Sequence, residues 1–165
     1  MNNWITCSIS SGRFSRDDTA VTGVNFWASS FHGSHHLPQF AWDGKVSNGN
    51  TDFFHSANEK NPWLRIQLSR PVHIKSITIW GRISCCWDRL KNLEIRAGMR
   101  NDLTNQLLAT FPGPGERGAK YEFNFHKPTS LAEYITLQIV QDQRTSLEIN
   151  EIEITSELEL YSASI

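Results

Sequence analysis

The feature that most constrains this chain is a two-residue rhythm of apolar side chains, broken at intervals by turn-forming residues. In Leu64-Arg65-Ile66-Gln67-Leu68 the apolar residues fall on one side. Within Ile74 to Ile83, Ile77, Ile79 and Ile83 face one way, while Ser76, Thr78, Trp80 and Arg82 face the other. Leu93, Ile95 and Ala97 repeat the pattern, as do Ile135, Leu137 and Ile139. Period two belongs to a β-strand, whose successive side chains point to opposite faces. Asn61-Pro62, Arg70-Pro71, Pro112-Gly113-Pro114-Gly115 and Lys127-Pro128 separate these runs and read as turns. Short strands so punctuated predict an all-β chain, a β-sandwich or jelly roll. Helical signals are weak, with one turn at most over Ala57 to Lys60. There is no internal repeat, low-complexity tract or linker, so residues 23–165 read as a single sandwich domain. Residues 1–22 fit the pattern least and read as an N-terminal extension, in which Ile5, Cys7 and Ile9 suit an added edge strand.

At 165 residues the chain is long enough for one domain with a sizeable core. Its net charge is -1, without the basic excess a nucleic-acid backbone demands of its partner. No stretch approaches the roughly 18 apolar residues of a membrane span. No basic region followed by an apolar run opens the chain, so no secretory signal is visible. Either it is a mature chain restarted at Met1, or it is not secreted by the usual route. Three cysteines are too few for a disulfide scaffold.

Near the C-terminus the alternation breaks. Leu147 and Ile149 share one parity, Ile152 and Ile154 the other. Such a change of register within a strand predicts a β-bulge, here at Asn150 and Glu151. By parity with Leu147 and Ile149, Glu151 points inward, and a buried carboxylate needs a cation or several donors.

The densest chemistry lies in Arg82-Ile83-Ser84-Cys85-Cys86-Trp87-Asp88-Arg89. An arginine fork presents paired donors to adjacent oxygens and keeps its charge, which suits the fixed lone pairs of a neutral sugar. His55 adds a further donor. Taken singly, a surface arginine is solvated, a lone histidine is structural, and adjacent cysteines are two free thiols. Their joint spacing in a loop after a good strand reverses that preference. His55, twenty-six residues, then Arg82, and Arg89 beyond it resemble the motif of the F-type lectins, or fucolectins. That motif runs His, twenty-six residues, Arg, one residue, Asp, four residues, then Arg or Lys. Ala41-Trp42-Asp43-Gly44 resembles the family's Ala-x-Asp-Gly, and Asn61-Pro62-Trp63-Leu64-Arg65-Ile66 its Asn-Pro-Trp-Trp-Arg-Val. Leu147 to Ile154 resembles its final strand, so the likeness covers about residues 23–155. The motif's Asp is Ser84 here, whose hydroxyl accepts a hydrogen bond but carries no charge.

The resemblance implies a discoidin-like jelly roll that binds fucosylated glycans or glycoproteins through His55, Arg82 and Arg89 without catalysing a reaction. Cys85 and Cys86 fall where the family has adjacent cysteines, and a disulfide between them would give the sugar's C–H face a flat platform. Such a bridge is strained, since neighbouring Cα atoms lie about 3.8 Å apart, below the usual span of about 4.4 Å upward. Phe31, His32, His35 and His36 would rim the pocket; a zinc site on these histidines is disfavoured because no further ligand completes it. Trp87, between Cys86 and Arg89, would wall the pocket or shield the bridge. The resemblance also implies a structural calcium remote from the sugar. Its ligands would be the Asp43 and Glu151 carboxylates, with oxygens at or near Phe40, Lys45, Asp52 and Asn150, a hard-oxygen set that calcium accepts. Trp27, Trp42, Trp63 and Trp80 read as core or sheet-face residues. The prolines of Gly113 to Gly118, with no Lys-Ser/Thr and helix behind them, disfavour a phosphate loop.

Two other functions compete. A discoidin-like domain can instead bind membranes or proteins through apolar loop tips, for which Phe53-Phe54 would serve. A glycan-active enzyme needs paired carboxylates or an activated nucleophile, and the pocket segment offers only Asp88. The lectin reading places the protein outside the cell, secreted or at the cell surface. Single lectin sites are weak, so avidity favours a homo-oligomer, with Cys7 available to link chains.

Overall fold

The alternating runs become strands in the computed structural model, which describes residues 4–8, 22–127 and 129–157. In chain order these are β1 (Trp4–Ser8), β2 (Gly23–Ala28), β3 (Phe54–His55), β4 (Trp63–Gly81), β5 (Leu93–Gly98), β6 (Gln106–Phe111), β7 (Lys120–Asn124), β8 (Leu131–Ile139) and β9 (Glu148–Glu157). Short 3-10 turns occupy Pro38–Trp42 and Trp87–Arg89. Residues 57–60 are not helical; Glu59 instead bridges Thr145. Ile5 and Cys7 fall on β1, which pairs antiparallel with β9, while Ile9, Pro128 and residues 158–165 lie outside the described residues.

β4 organises the sandwich. Its first half pairs with β2 on one side and β8 on the other, from Trp63 to Gln67. Its second half pairs with β7 and β9, from Ser76 to Trp80. One strand therefore runs through both layers, a known way of turning a sheet corner. One layer continues from β8 to β5 and β6, and the other from β9 to β1, all pairings being antiparallel.

Arg70-Pro71 is thus not a turn between two strands but the bend inside one. The pairing of β4 with β8 shifts register between Gln67 and Val72, so Pro71, which has no N–H to donate, sits where the ladder is already interrupted. A second irregularity, between Ile74 and Ser76 against β9, lets Ile74 and Ile77 both point inward despite opposite parity. Between the layers Leu64, Ile66, Leu68, Ile77, Ile79, Leu93, Ile95, Ile135, Leu137, Ile149 and Ile154 are buried. Each such side chain contributes about 1.5–3 kcal/mol by leaving water. Trp42 belongs to this core, whereas Trp27, Trp63 and Trp80 are half-buried on sheet faces.

The bulge expected at Asn150 and Glu151 is present. Trp80 pairs with Glu151 and Gly81 with Ile149, which leaves Asn150 as the extra residue. Phe53 and Phe54 have no exposed surface, so they are core residues and offer no apolar loop tip. Among the described residues, no helix is long and apolar enough to cross a membrane.

Candidate functional site

β4 ends at Gly81, and the chain turns outward through Arg82 into the Trp87–Arg89 turn. β3 and the first residues of β9 lie beside this exit, paired Phe54 to Ile149 and His55 to Glu148. That pairing brings His55, Arg82 and Arg89 together around a residue for which the alternation gave no signal, Glu148. One carboxylate oxygen, Oε1, lies 2.9 Å from His55 Nε2, 3.2 Å from Arg82 Nη1 and 2.9 Å from Arg89 Nη1. The Glu148 side chain is 3 % exposed. A carboxylate so enclosed needs this company, because burying an unpaired charge is costly.

The three donors differ in exposure. Arg82 is 11 % exposed and its guanidinium is largely engaged. Its Nε donates to Ser84 Oγ at 2.9 Å and its Nη2 to Asn50 Oδ1 at 2.9 Å. The group also lies 5.0 Å from the centroid of the Phe53 ring. Arg89 is 45 % exposed. His55 Nδ1 is 2.6 Å from the Ser56 carbonyl, so both of its ring nitrogens face oxygens. Arg89 therefore presents the outward fork, while Arg82 and His55 are held in fixed directions.

Cys85 and Cys86 are joined by a disulfide, with Cα atoms 3.8 Å apart. Cys86 takes φ 60°, a left-handed conformation few non-glycine residues adopt. Trp87 follows, half-buried, with the Arg117 guanidinium 5.6 Å from its ring centroid. The Gly113–Gly118 loop closes on this turn: Gly115 N donates to the Leu90 carbonyl at 2.8 Å.

The histidine loop borders the same cluster. The His32 ring stacks on His55 at 5.0 Å between centroids, and His36 lies 5.2 Å from His55. The backbone ties the loop down, His32 N to the His55 carbonyl at 2.8 Å and Asp52 N to the His35 carbonyl at 3.0 Å. His36 is held below the ordinary histidine range, first by burial and further by His55, His32 and Arg82 nearby, although its bond to the Phe53 carbonyl opposes this. Phe31 is 53 % exposed and His35 is exposed.

The Asp43–Glu151 pair is a separate feature. Glu151 Oε2 accepts from Gly44 N at 3.0 Å, whereas its Oε1 is buried with no partner. Burial, and then the neighbouring Asp43 carboxyl, push the Glu151 carboxyl up to about 9. Two facing carboxyls with an orphaned inward oxygen form a hard-oxygen donor set, and they fit a divalent cation. Of the other implied ligands, Asn150 Oδ1 accepts from Ser47 N at 2.8 Å and Lys45 N donates to Asp43 Oδ1 at 2.9 Å. Asp52 is exposed, with Thr51 Oγ1 at 3.4 Å from its carboxylate, and Phe40 is half-buried in the Pro38–Trp42 turn. Among the described residues, no three His, Cys, Asp or Glu side chains are grouped to hold a metal. A cation here would thus take backbone and amide oxygens besides the two acids.

The antiparallel sandwich, with its polar cluster and disulfide on the loop that follows β4, has the discoidin-like fold. Residues 40–137 match the family described as a NedA-like, galactose-binding domain. The chain is 30% identical over 127 residues to Fucolectin-1 of Anguilla japonica, covering 73% of this chain and 68% of that protein. On these grounds it belongs to the F-type lectin, or fucolectin, family. Its fold superposes on a fucolectin from Morone saxatilis (striped bass) serum with TM-score 0.73 at 24% identity, over 80% of this chain. The chain spans about half, 46%, of that lectin's length. A family 32 carbohydrate-binding module from C. perfringens NanJ, solved with galactose, has the same fold with TM-score 0.65 at 23% identity, over 82% of this chain and 99% of that one.

Proposed function

We propose that this chain is a non-catalytic lectin that takes an L-fucose-containing glycan at the His55–Arg82–Arg89 cluster beside the Cys85–Cys86 bridge. The observation that carries the reading is the convergence of three nitrogen donors from two separate segments on Glu148 Oε1, within 2.9–3.2 Å, with the Arg89 side chain 45 % exposed beside the bridge. Arg89 offers paired donors to neighbouring sugar oxygens, and Arg82 is braced to offer those it has left. The disulfide supplies an apolar surface for the C–H face of the ring, and the loop of Phe31, His32, His35 and His36 borders whatever extends beyond the first sugar. The family supports the choice of sugar, since the relative at 30% identity is named a fucolectin. We further propose a structural calcium at Asp43 and Glu151, completed by oxygens from Phe40, Lys45, Asp52 or Asn150. Calcium there would supply positive charge to two acids that otherwise face each other. The protein then acts outside the cell on fucosylated glycans or glycoproteins, with avidity from a homo-oligomer strengthening a weak single site.

A glycan array on the purified protein tests this reading. Fucosylated hits that free fucose competes away are expected. Hits on galactose alone would keep the lectin and overturn the sugar; an array with no glycan above background would overturn both.

A further inference from the structure

We propose that Glu148 sets the charge specificity of the site, its carboxylate cancelling one of the two guanidinium charges and filling the place between them where an anion would sit, so that the pocket favours a neutral sugar over a sulfated or carboxylated one. This rests on reading the cluster as a sugar site. Three donors close on Glu148 Oε1, and the side chain is 3 % exposed. Two guanidiniums on one loop are otherwise an anion receptor, because paired N–H groups match sulfate and carboxylate. In this chain the anionic place is filled from within. An approaching anion meets a fixed negative charge at hydrogen-bond range of both arginines, in partly shielded surroundings where charges interact strongly. A sugar hydroxyl meets no such penalty and uses the N–H groups that Glu148 leaves free on Arg89.

The neighbouring polar groups agree with this role. Ser84 receives Arg82 Nε at 2.9 Å but brings no charge, so Glu148 is the acid bonded to both guanidiniums. It reaches them from β9 rather than from the arginines' own loop. The strand fixes it there: Glu148 pairs with His55, and its neighbours Leu147 and Ile149 are fully buried. Swinging the carboxylate out to make room for an anion would break its bonds to His55, Arg82 and Arg89 together.

Glu148→Gln separates charge from shape, since the amide keeps an oxygen acceptor and the side chain's size. Inorganic sulfate is the anionic probe and methyl α-L-fucoside the neutral one, both followed by calorimetric titration and thermal melting at constant ionic strength. Wild-type protein is expected to bind the fucoside and to show no sulfate effect beyond that of chloride. Glu148→Gln is expected to bind sulfate at least about tenfold more tightly than wild type, the scale of one charge removed at close range. Sulfate should also displace the fucoside from that variant. A second carboxylate at the serine position, in Ser84→Asp with Glu148→Gln, should abolish the sulfate binding again.

Sulfate binding by wild type, or no gain in Glu148→Gln, overturns the inference and leaves Glu148 a brace of the fold. Failure of wild type to bind the fucoside, with the sulfate results as expected, overturns the sugar reading and leaves the charge role standing. Should Glu148→Gln not fold, titrating the fucoside-bound wild type with sulfate decides: displacement overturns the inference, and its absence supports it.

Discussion

Arg82 and Arg89 carry the same guanidinium yet stand in different surroundings, and the two should answer mutation differently. Arg89 is 45 % exposed and has Glu148 as its acidic partner. Arg89→Ala should remove sugar binding and cost about 1 kcal/mol, since it takes one donor from the buried Glu148 carboxylate. Arg82 is 11 % exposed and touches Ser84, Asn50, Glu148 and the Phe53 ring. The motif spacing suggests two equivalent surface arginines, and Arg82 is not one. Arg82→Ala takes a donor from Glu148 as well, and also strips Ser84, Asn50 and the Phe53 ring of their contact with the guanidinium, at a total cost of about 2–3 kcal/mol. In a domain of this size that lowers the melting temperature by about 4–12 °C, more than Arg89→Ala does. Melting curves and fucoside titration of the two variants, run together, check this; equal stability loss would overturn the distinction. Glu148 itself was hidden from the sequence for a physical reason. Residues 147 to 152 are buried on both faces of β9, and alternation marks an inward charge only where one face is wet.

At the level of elements, the alternation located β4, β5, β8 and β9 because each has a buried face, and the parity break at Asn150 located the bulge. It misplaced the corner at Arg70-Pro71, since a proline in an already broken ladder resembles a proline in a turn. It was silent on β3, two residues long yet the element that carries His55 to Glu148. So short a strand is specified by its partner rather than by its own pattern. The Gly113–Gly118 loop was legible only as a turn, and its use is tertiary. A Cβ on Gly115 would stand 2.4 Å from the Trp87 carbonyl and 3.2 Å from Leu90 Cβ. The close approach holds the Trp87–Arg89 turn in place. Gly115→Ala should force the loop away from the turn, costing about 1–3 kcal/mol as overpacking does. It should also weaken fucoside binding by displacing Arg89, although residue 115 is no part of the sugar site. Wild-type affinity in a folded Gly115→Ala protein would mean that the turn is positioned by its own disulfide and by Arg82 alone.

Over the whole molecule, the pieces that build the site come from distant parts of the chain, and polar contacts fasten the outer ones. The loop after the Pro38–Trp42 turn is fastened to β9 by Gly44 N to Glu151 Oε2 at 3.0 Å and by Ser47 N to Asn150 Oδ1 at 2.8 Å. That loop also supplies Asn50 to Arg82. A cation shared by Asp43 and Glu151 would therefore clamp an early loop to the last strand. Calcium that binds only the folded protein, at 100 times its dissociation constant, adds about 2.7 kcal/mol. In a domain of this size that raises the melting temperature by about 5–10 °C. Chelation should take this away, and magnesium should restore less of it, because its small octahedral shell suits a protein cage poorly. Glu151→Ala should remove the response to calcium and to chelator alike. Fucoside affinity measured well below the melting temperature should change little on chelation, since the carboxylate pair is not among the groups that bond the arginines. Identical melting curves with calcium and with chelator would remove the cation, and would leave Glu151 as a buried carboxyl whose proton is held by burial and by the neighbouring Asp43.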